Sequence, residues 1–236
     1  MLVLPLTREE LLDHLPKGRR IAEIGVARGE FSTELLARCE PAELSLVDHW
    51  LAEPGATVEY GDQAEQDRRH VAVTANFTAE IGAERVRILR QSSAEASTTF
   101  TDGTLDVVYI DADHSYDGVR GDLETYMPKL APGGLLMGHD FARHKTFDFR
   151  VIEAVEDFAR DTGAKVVAMT ARDAFPSFVM TNEVVGDCRD LISRLLAEVP
   201  GIVDVADYPS RLSYASIHVL DNADGVNLVP RFQTRQ

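Results

Sequence analysis

The chain has 236 residues, 44% of them hydrophobic, and a formal net charge of −15 at pH 7. That length supports one sizeable core. The acidic balance, with no dense basic stretch, argues against nucleic acid and anionic membranes as partners. Cys39 and Cys188 lie far apart without C-x-x-C spacing, and no run approaches ~18 apolar residues. Together these predict a reduced, cytoplasmic setting with neither signal peptide nor membrane span.

Thr7 and Glu10 have the spacing of a capping box and predict a leading helix. The apolar run Arg20 to Ile24 reads as a strand. It enters Glu23-Ile-Gly-Val-Ala-Arg-Gly-Glu-Phe-Ser32 and then a helical pattern through Leu35 and Leu36. Strand, glycine turn and helix start, in that order, make a cofactor cradle. Gly25 permits the sharp turn, Gly29 permits close backbone approach, and the new helix offers N–H groups and a positive dipole end to an anion. A nicotinamide fingerprint needs G-x-G-x-x-G, but Ala27 replaces its central glycine. Glu23 would repel a pyrophosphate and attract a methionine ammonium group. The segment Glu23-x-Gly25-x-x-x-Gly29-x-x-Ser32 resembles motif I of class I S-adenosylmethionine (SAM)-dependent methyltransferases. With Ser32, it is similar to the catechol-type O-methyltransferases.

Leu44 to Asp48 is a second short strand, ending in an acid suited to accept hydrogen bonds from both ribose hydroxyls. His49 and Trp50 follow, and Trp50 is a candidate to flank the adenine or the substrate, with a plain core role as the alternative. Asp62 to Ile81 reads as a long helix with Val71, Phe77 and Ile81 on its apolar side. Val86 to Arg90 is a third strand. By resemblance the segment after it frames the adenine, and Ser93 matches the serine that touches the ring. The alternative is that Ser92 or Ser93 simply caps the next helix.

The densest chemistry lies at residues 105–140. Leu105 to Ile110 reads as a buried strand that ends in Asp111, followed by Ala112-Asp-His-Ser-Tyr116 and a helix to Lys129. Pro132-Gly-Gly134 reads as a turn, and Leu135 to Gly138 as a strand ending in His139-Asp140. Two neighbouring strands thus bring Asp111, His139 and Asp140 to the edge that holds the cofactor. This run resembles the metal-dependent small-molecule O-methyltransferases, most closely those of the macrocin type. The resemblance implies a divalent metal, Mg or Mn, on Asp111, His139 and Asp140. It also implies catalysis by His114 as general base together with Asp111, and cofactor binding by Glu23, Gly25, Gly29, Ser32, Asp48, Ser93 and Asp111. His139 departs from the family's oxygen ligands, since Mg prefers oxygen and imidazole suits Mn, Fe or Zn. Three arrangements stay open: a softer metal, a His139 that points away while Asp113 completes the site, or no metal. His49, Asp113 and His144 are secondary candidates.

Asp148 to Arg160 reads as a helix with Val151, Val155 and Phe158 inward. Lys165 to Met169 and Ser177 to Met180 read as strands. Alternating strands and helices from Arg20 to Thr170 predict an α/β fold with a parallel sheet covered by helices. The resemblance, over about residues 15–182, sharpens this to a Rossmann-like, doubly wound, mostly parallel seven-stranded sheet with an antiparallel edge hairpin. Residues 1–182 would form the methyltransferase domain. Residues 183–236 would be an extension, with a helix from Asp187 to Val199 and a turn-rich tail, serving as lid, dimer arm of a homo-oligomer, or packing layer.

These features imply a SAM-dependent O-methyltransferase, metal-assisted, acting on a small-molecule hydroxyl of a sugar, a glycosylated compound or a phenolic natural product. The alternatives are a metal-free class I methyltransferase on nitrogen or oxygen with His114 as sole base, and a non-catalytic SAM-binding regulator or subunit.

Overall fold

A computed structural model describes residues 1–52, 61–143, 149–222 and 225–234. His144 and Asp148 lie outside these residues. Of the described residues, no helix is long and apolar enough to cross a membrane.

The main sheet is built around five parallel strands in the order β4 (Val86–Arg90), β3 (Glu43–Asp48), β2 (Arg20–Ile24), β5 (Leu105–Ile110) and β6 (Leu130–Gly138). The chain runs outward from β2 through β3 to β4, then restarts at β5 on the other side of β2. The strand order therefore reverses between β2 and β5, the place where open α/β sheets bind ligands beyond their carboxyl ends. β8 (Phe178–Thr181) pairs antiparallel with both β6 and β7 (Lys165–Thr170).

The sheet has nine strands among the described residues rather than the expected seven. β1 (Leu2–Leu4) pairs parallel with β7, and β9 (Val203–Asp204) pairs antiparallel with β1. The β7–β8 pair is thus internal, not an edge hairpin. The added strands are very short and carry little periodicity, but Leu2, Val3 and Leu4 are all buried. β6 also starts earlier than expected, running through Pro132-Gly-Gly134, which had read as a turn.

Alternation along β5 shows how the two faces are filled. Val107 and Tyr109 face one core cluster, and Val108 and Ile110 face the other. The first cluster takes Leu11 and Leu12 of α1 (Arg8–Leu12), Leu35 of α2 (Glu30–Cys39), Val73 of α3 (Gln63–Asn76) and Leu191 and Leu195 of α8 (Gly186–Glu198). The second takes Ala96 of α5 (Ser93–Ser97), Leu123 and Tyr126 of α6 (Tyr116–Tyr126), and Val155 and Phe158 of α7 (Val151–Thr162). Thr7 and Glu10 form the expected capping box of α1. The long helix expected from Asp62 is divided at Phe77, which leaves helical geometry (φ −104°, ψ 19°) to bury its ring before α4 (Thr78–Gly82) begins. Val71, expected inward, is 65% exposed.

The division after residue 182 does not separate two bodies. α8 buries Cys188, Leu191 and Leu195 in the same core as β5 and β6, and β9 joins the main sheet. The tail had read as turn-rich because of its prolines. It instead forms a hairpin of β10 (Leu212–Asn222) and β11 (Gly225–Thr234). Its base is tied to the domain by Glu156 of α7. This carboxylate is 1% exposed and accepts hydrogen bonds from Tyr208 Oη (2.8 Å), Ser213 Oγ (2.8 Å) and the Tyr214 amide (2.9 Å). Tyr214 in turn stacks on Phe141, with centroids 5.4 Å apart.

Candidate active site

Ladder hydrogen bonds continue past the strand ends and bring the loops together. The amide of Gly25 donates to Val47 O, that of Asp111 to Ile24 O, and that of His139 to Ile110 O, at 2.9, 2.7 and 3.0 Å. The ends of β2, β3, β5 and β6 therefore meet side by side.

In the glycine loop, Gly25 has φ +91°, and a Cβ on it would lie 2.0 Å from the carbonyl oxygen of Asp111. The close approach is to the neighbouring strand. Gly29 (φ +80°) begins α2 without a side-chain cap, and a Cβ there would meet Val73 of α3 at 3.2 Å. Asp48 Oδ2 accepts from the amides of Val26 and Ala27 at 3.0 and 2.9 Å, and Oδ1 accepts from the Trp50 amide at 2.7 Å. Asp48 thus shapes the loop itself, and its remaining lone pairs are what it could offer a ribose. Trp50 is fully buried, and its Nε1 donates to Ala27 O at 2.9 Å, so it supports the loop from behind.

Glu23 is 1% exposed and accepts a hydrogen bond from Ser32 Oγ. Burial, opposed by that hydrogen bond, pushes its carboxyl up to about 8. A buried acid with no cation paired to it among the described residues fits a ligand that carries an ammonium group, which would favour its ionised form. Ser92, not Ser93, caps α5 through a capping box with Glu95. Ser93 instead offers its carbonyl to Tyr126 Oη at 2.7 Å and its side chain to Asp122.

Asp111, His139 and Asp140 each offer one ligand atom, all within 4.8 Å of one another. His139 Nδ1 lies 3.7 Å from Asp111 Oδ2 and 3.4 Å from Asp140 Oδ2. Ligands on one small cation have spacings of this order, and the mixed nitrogen and oxygen set suits manganese, iron or zinc better than magnesium. Asp113 does not join them. Its carboxylate accepts from the Ser115 amide and Oγ at 2.8 and 3.0 Å, at the start of α6. The arrangement in which His139 turns away and Asp113 replaces it is therefore not the one adopted. His49 is also committed elsewhere, with Nδ1 accepting from the Leu51 amide at 2.8 Å.

His114 Nε2 lies 2.7 Å from Asp140 Oδ2 and 3.5 Å from Asp111 Oδ1, as ion-pair contacts without good hydrogen-bond alignment to either. Burial works against the imidazolium, but the two carboxylates outweigh it and raise the histidine to about 10. The sequence had pointed to a base near its ordinary value. Here His114 holds its proton at neutral pH. Asp140 is buried too, which favours its neutral form, yet His114 and His139 hold it well below the usual carboxylate range. The His114 ring stacks on Phe149 with centroids 4.8 Å apart. Arg8 of α1, which the sequence gave no reason to single out, places Nη1 3.3 Å from Asp111 Oδ2.

A glycine loop, a buried acid and a strand-end acid at the switch point of a doubly wound sheet define the cofactor end of a Rossmann-like transferase. The profile of the family described as Methyltransferase domain matches residues 22–141. That span includes every catalytic, cofactor-binding and metal-ligand residue named from the sequence, and leaves out only the secondary candidate His144. The chain belongs to this family and carries a SAM-dependent methyltransferase domain. It is 28% identical over 143 residues to the uncharacterised protein y4gI of Sinorhizobium fredii, a match that covers 55% of this chain and 14% of that protein's length. Among solved structures, a Corynebacterium glutamicum protein superposes with a TM-score of 0.52 at 18% identity, covering 78% of this chain and 85% of that one. The tRNA methyltransferase TrmK of B. subtilis gives 0.51 at 11% identity, over 82% of this chain and 70% of its own. At these identities the likeness is one of fold.

Proposed function

We propose that the domain methylates a hydroxyl group of a small molecule, such as a sugar, a glycosylated compound or a phenolic natural product, with a divalent cation at Asp111, His139 and Asp140. The observation that carries this reading is the convergence of those three side chains, with His114 beside them, on the sheet edge that holds the cofactor loop.

The acceptor oxygen forms a bond to the methyl carbon as the carbon–sulfur bond breaks, and that electron pair returns to sulfur. The hydroxyl proton must leave at the same time. The sulfonium is already activated, so the protein's work is positioning and proton removal. A divalent cation, when bound, would lower the acceptor's pKa and orient it. His114 is the base within reach. It must first lose its own proton to solvent, a proton that the ion pairs with Asp111 and Asp140 hold in place. Asp111, which packs against the cofactor loop at Gly25 and is also one of the cation ligands, would position the acceptor beside the cofactor.

A second reading has its own support. Arg8 and His114 already neutralise Asp111 and Asp140, as a metal-free methyltransferase acting on oxygen or nitrogen would need. The two readings part on one experiment, in which methyl transfer from labelled SAM to a panel of sugar and phenolic acceptors is assayed before and after exhaustive chelation. Activity lost on chelation and restored by Mn supports the metal-assisted reading. Undiminished activity in the chelated enzyme overturns it and favours the second.

A further inference from the structure

We propose that Arg8 binds the carboxylate of the cofactor's methionine half, exchanging its ion pair with Asp111 for that ligand. The inference goes beyond the acceptor chemistry and rests only on the SAM-binding role of the domain and on Glu23 as the ammonium partner.

Arg8 is the first residue of α1 and is held from several sides. Thr7 caps the helix, and the Arg8 amide donates to Asp173 Oδ2 at 2.7 Å. From this fixed backbone the side chain crosses to the carboxyl edge of the sheet. Its guanidinium carbon sits 4.6 Å over the centre of the Phe31 ring, at the start of α2. Phe31 in turn packs on Tyr109, with centroids 4.2 Å apart. Nε donates to the neighbouring Glu9 Oε1 at 3.0 Å, while Nη1 reaches Asp111 Oδ2 at 3.3 Å and Tyr109 Oη at 3.5 Å. The aromatic layer sets the height of the guanidinium, while 24% of the side chain remains accessible.

The ammonium and carboxylate of an amino acid share one carbon. Whatever seats the ammonium at Glu23 brings the carboxylate within a few ångströms of it. The charged groups that act on Glu23 are Asp111, Arg8 and Asp48. Two of these repel a carboxylate, and Arg8 attracts one. Without Arg8, Glu23, Asp48 and Asp111 would make a poor host for the anionic end of a zwitterion. The present hold on Asp111 uses Nη1 alone, not the two-pronged fork that makes arginine–carboxylate pairs strong. It is therefore open to exchange. The exchange has a consequence for the neighbouring chemistry, because cofactor binding would release Asp111 from its guanidinium just as the acceptor is needed.

The test is calorimetry on the full chain with S-adenosylhomocysteine and with its decarboxylated form, which keeps the ammonium and loses the carboxylate. The wild type should prefer the intact ligand by about 10–100-fold, the range expected for one charge-assisted hydrogen-bonded pair. Arg8→Gln should lower affinity for the intact ligand to that of the decarboxylated one and leave the latter unaltered. Arg8→Lys, which keeps the charge and loses the fork, should retain part of the preference. Glu23→Gln should weaken both ligands alike. Absence of a preference in the wild type overturns the proposal, as does an equal loss of both ligands in either Arg8 variant. If the wild type binds neither ligand, the cofactor assignment itself fails and takes this inference with it.

Discussion

Gly25 and Asp111 are in backbone contact across the switch point. A single methyl group on Gly25 would sit 2.0 Å from the Asp111 carbonyl oxygen and 2.9 Å from the Cα of Ala112. The turn that opens the cofactor loop and the residue that leads the acidic cluster are one packed unit. Anything that displaces the turn displaces the acid.

Gly25→Ala should therefore damage both halves of the site. The substitution adds a clash with backbone, which cannot rotate away, to a left-handed residue. Together these cost ~2–5 kcal/mol. Gly29→Ala makes a useful contrast, since its methyl would meet side chains rather than backbone, Val73 at 3.2 Å and the Phe77 ring at 3.5 Å, with a cost of ~1–2 kcal/mol. Urea denaturation of the two variants checks the ranking. Equal stability losses would show that the Gly25 contact is not the constraint described.

Much of this site could be read from the sequence because its parts are strand ends. Asp48, Asp111 and Asp140 lie at the ends of apolar runs, Glu23 is one residue short of the end of its own, and parallel strands deliver these ends to one edge. What the sequence hid depends on distant partners. Arg8 reads as an ordinary first-turn residue until α1 is laid over β5. Trp50 reads equally as a ligand-flanking or a core aromatic until its indole is found under Ala27. The basicity of His114 follows from two carboxylates, and its i+3 spacing from Asp111 revealed only one of them. β1 and β10–β11 were missed for different reasons. Three residues carry no measurable alternation, and Pro209 and Pro230 suggested turns where β11 in fact accommodates Pro230 opposite Ile217.

Glu23 predicts a pH dependence whose sign can be worked out. Burial raises its carboxyl from an ordinary value of 4.5 to about 8 in the folded chain. Between those values the native state holds a proton that the unfolded chain has lost. Its stabilising contribution is complete below about pH 4.5 and is lost as pH rises to about 8. Seating an ammonium group beside Glu23 should reverse its titration, so binding of S-adenosylhomocysteine at pH 7 should release roughly one proton. Calorimetry in buffers of different ionisation enthalpy measures this number. Release should vanish well above pH 8 and in Glu23→Gln. A wild type that binds with no proton release at pH 7 would contradict the assignment of Glu23.

Glu156 predicts that the tail is integral to the domain. Glu156→Ala would strand two hydroxyls and one buried amide, at ~1–3 kcal/mol for each group left unsatisfied. Because Tyr214 stacks on Phe141, next to Asp140, the same variant should also loosen the acidic cluster. Limited proteolysis should show new cleavage between residues 200 and 215, and urea titration a lower midpoint. Truncation after Asn182 should unfold the chain, since it removes α8 and its buried Leu191 and Leu195. A stable, cofactor-binding 1–182 fragment would disprove this view of the tail.

His139 gives the sharpest test of the cation site. If Asp111, His139 and Asp140 are ligands, Mn should raise the melting temperature with a dependence on its concentration, since an ion that binds only the folded chain stabilises it by mass action. Mg should do so more weakly, because one of the donors is an imidazole. His139→Asp replaces that nitrogen with hard oxygen and should move the preference toward Mg, while Asp140→Asn should abolish the effect of both. Neither variant touches the glycine loop, so binding of S-adenosylhomocysteine should persist in each and serves as the control for folding. Thermal melts with each ion, with and without that ligand, read all of these outcomes without an acceptor. A wild type whose melting temperature no divalent ion raises has no cation site here, and the chemistry then falls to Arg8, His114 and the two carboxylates alone.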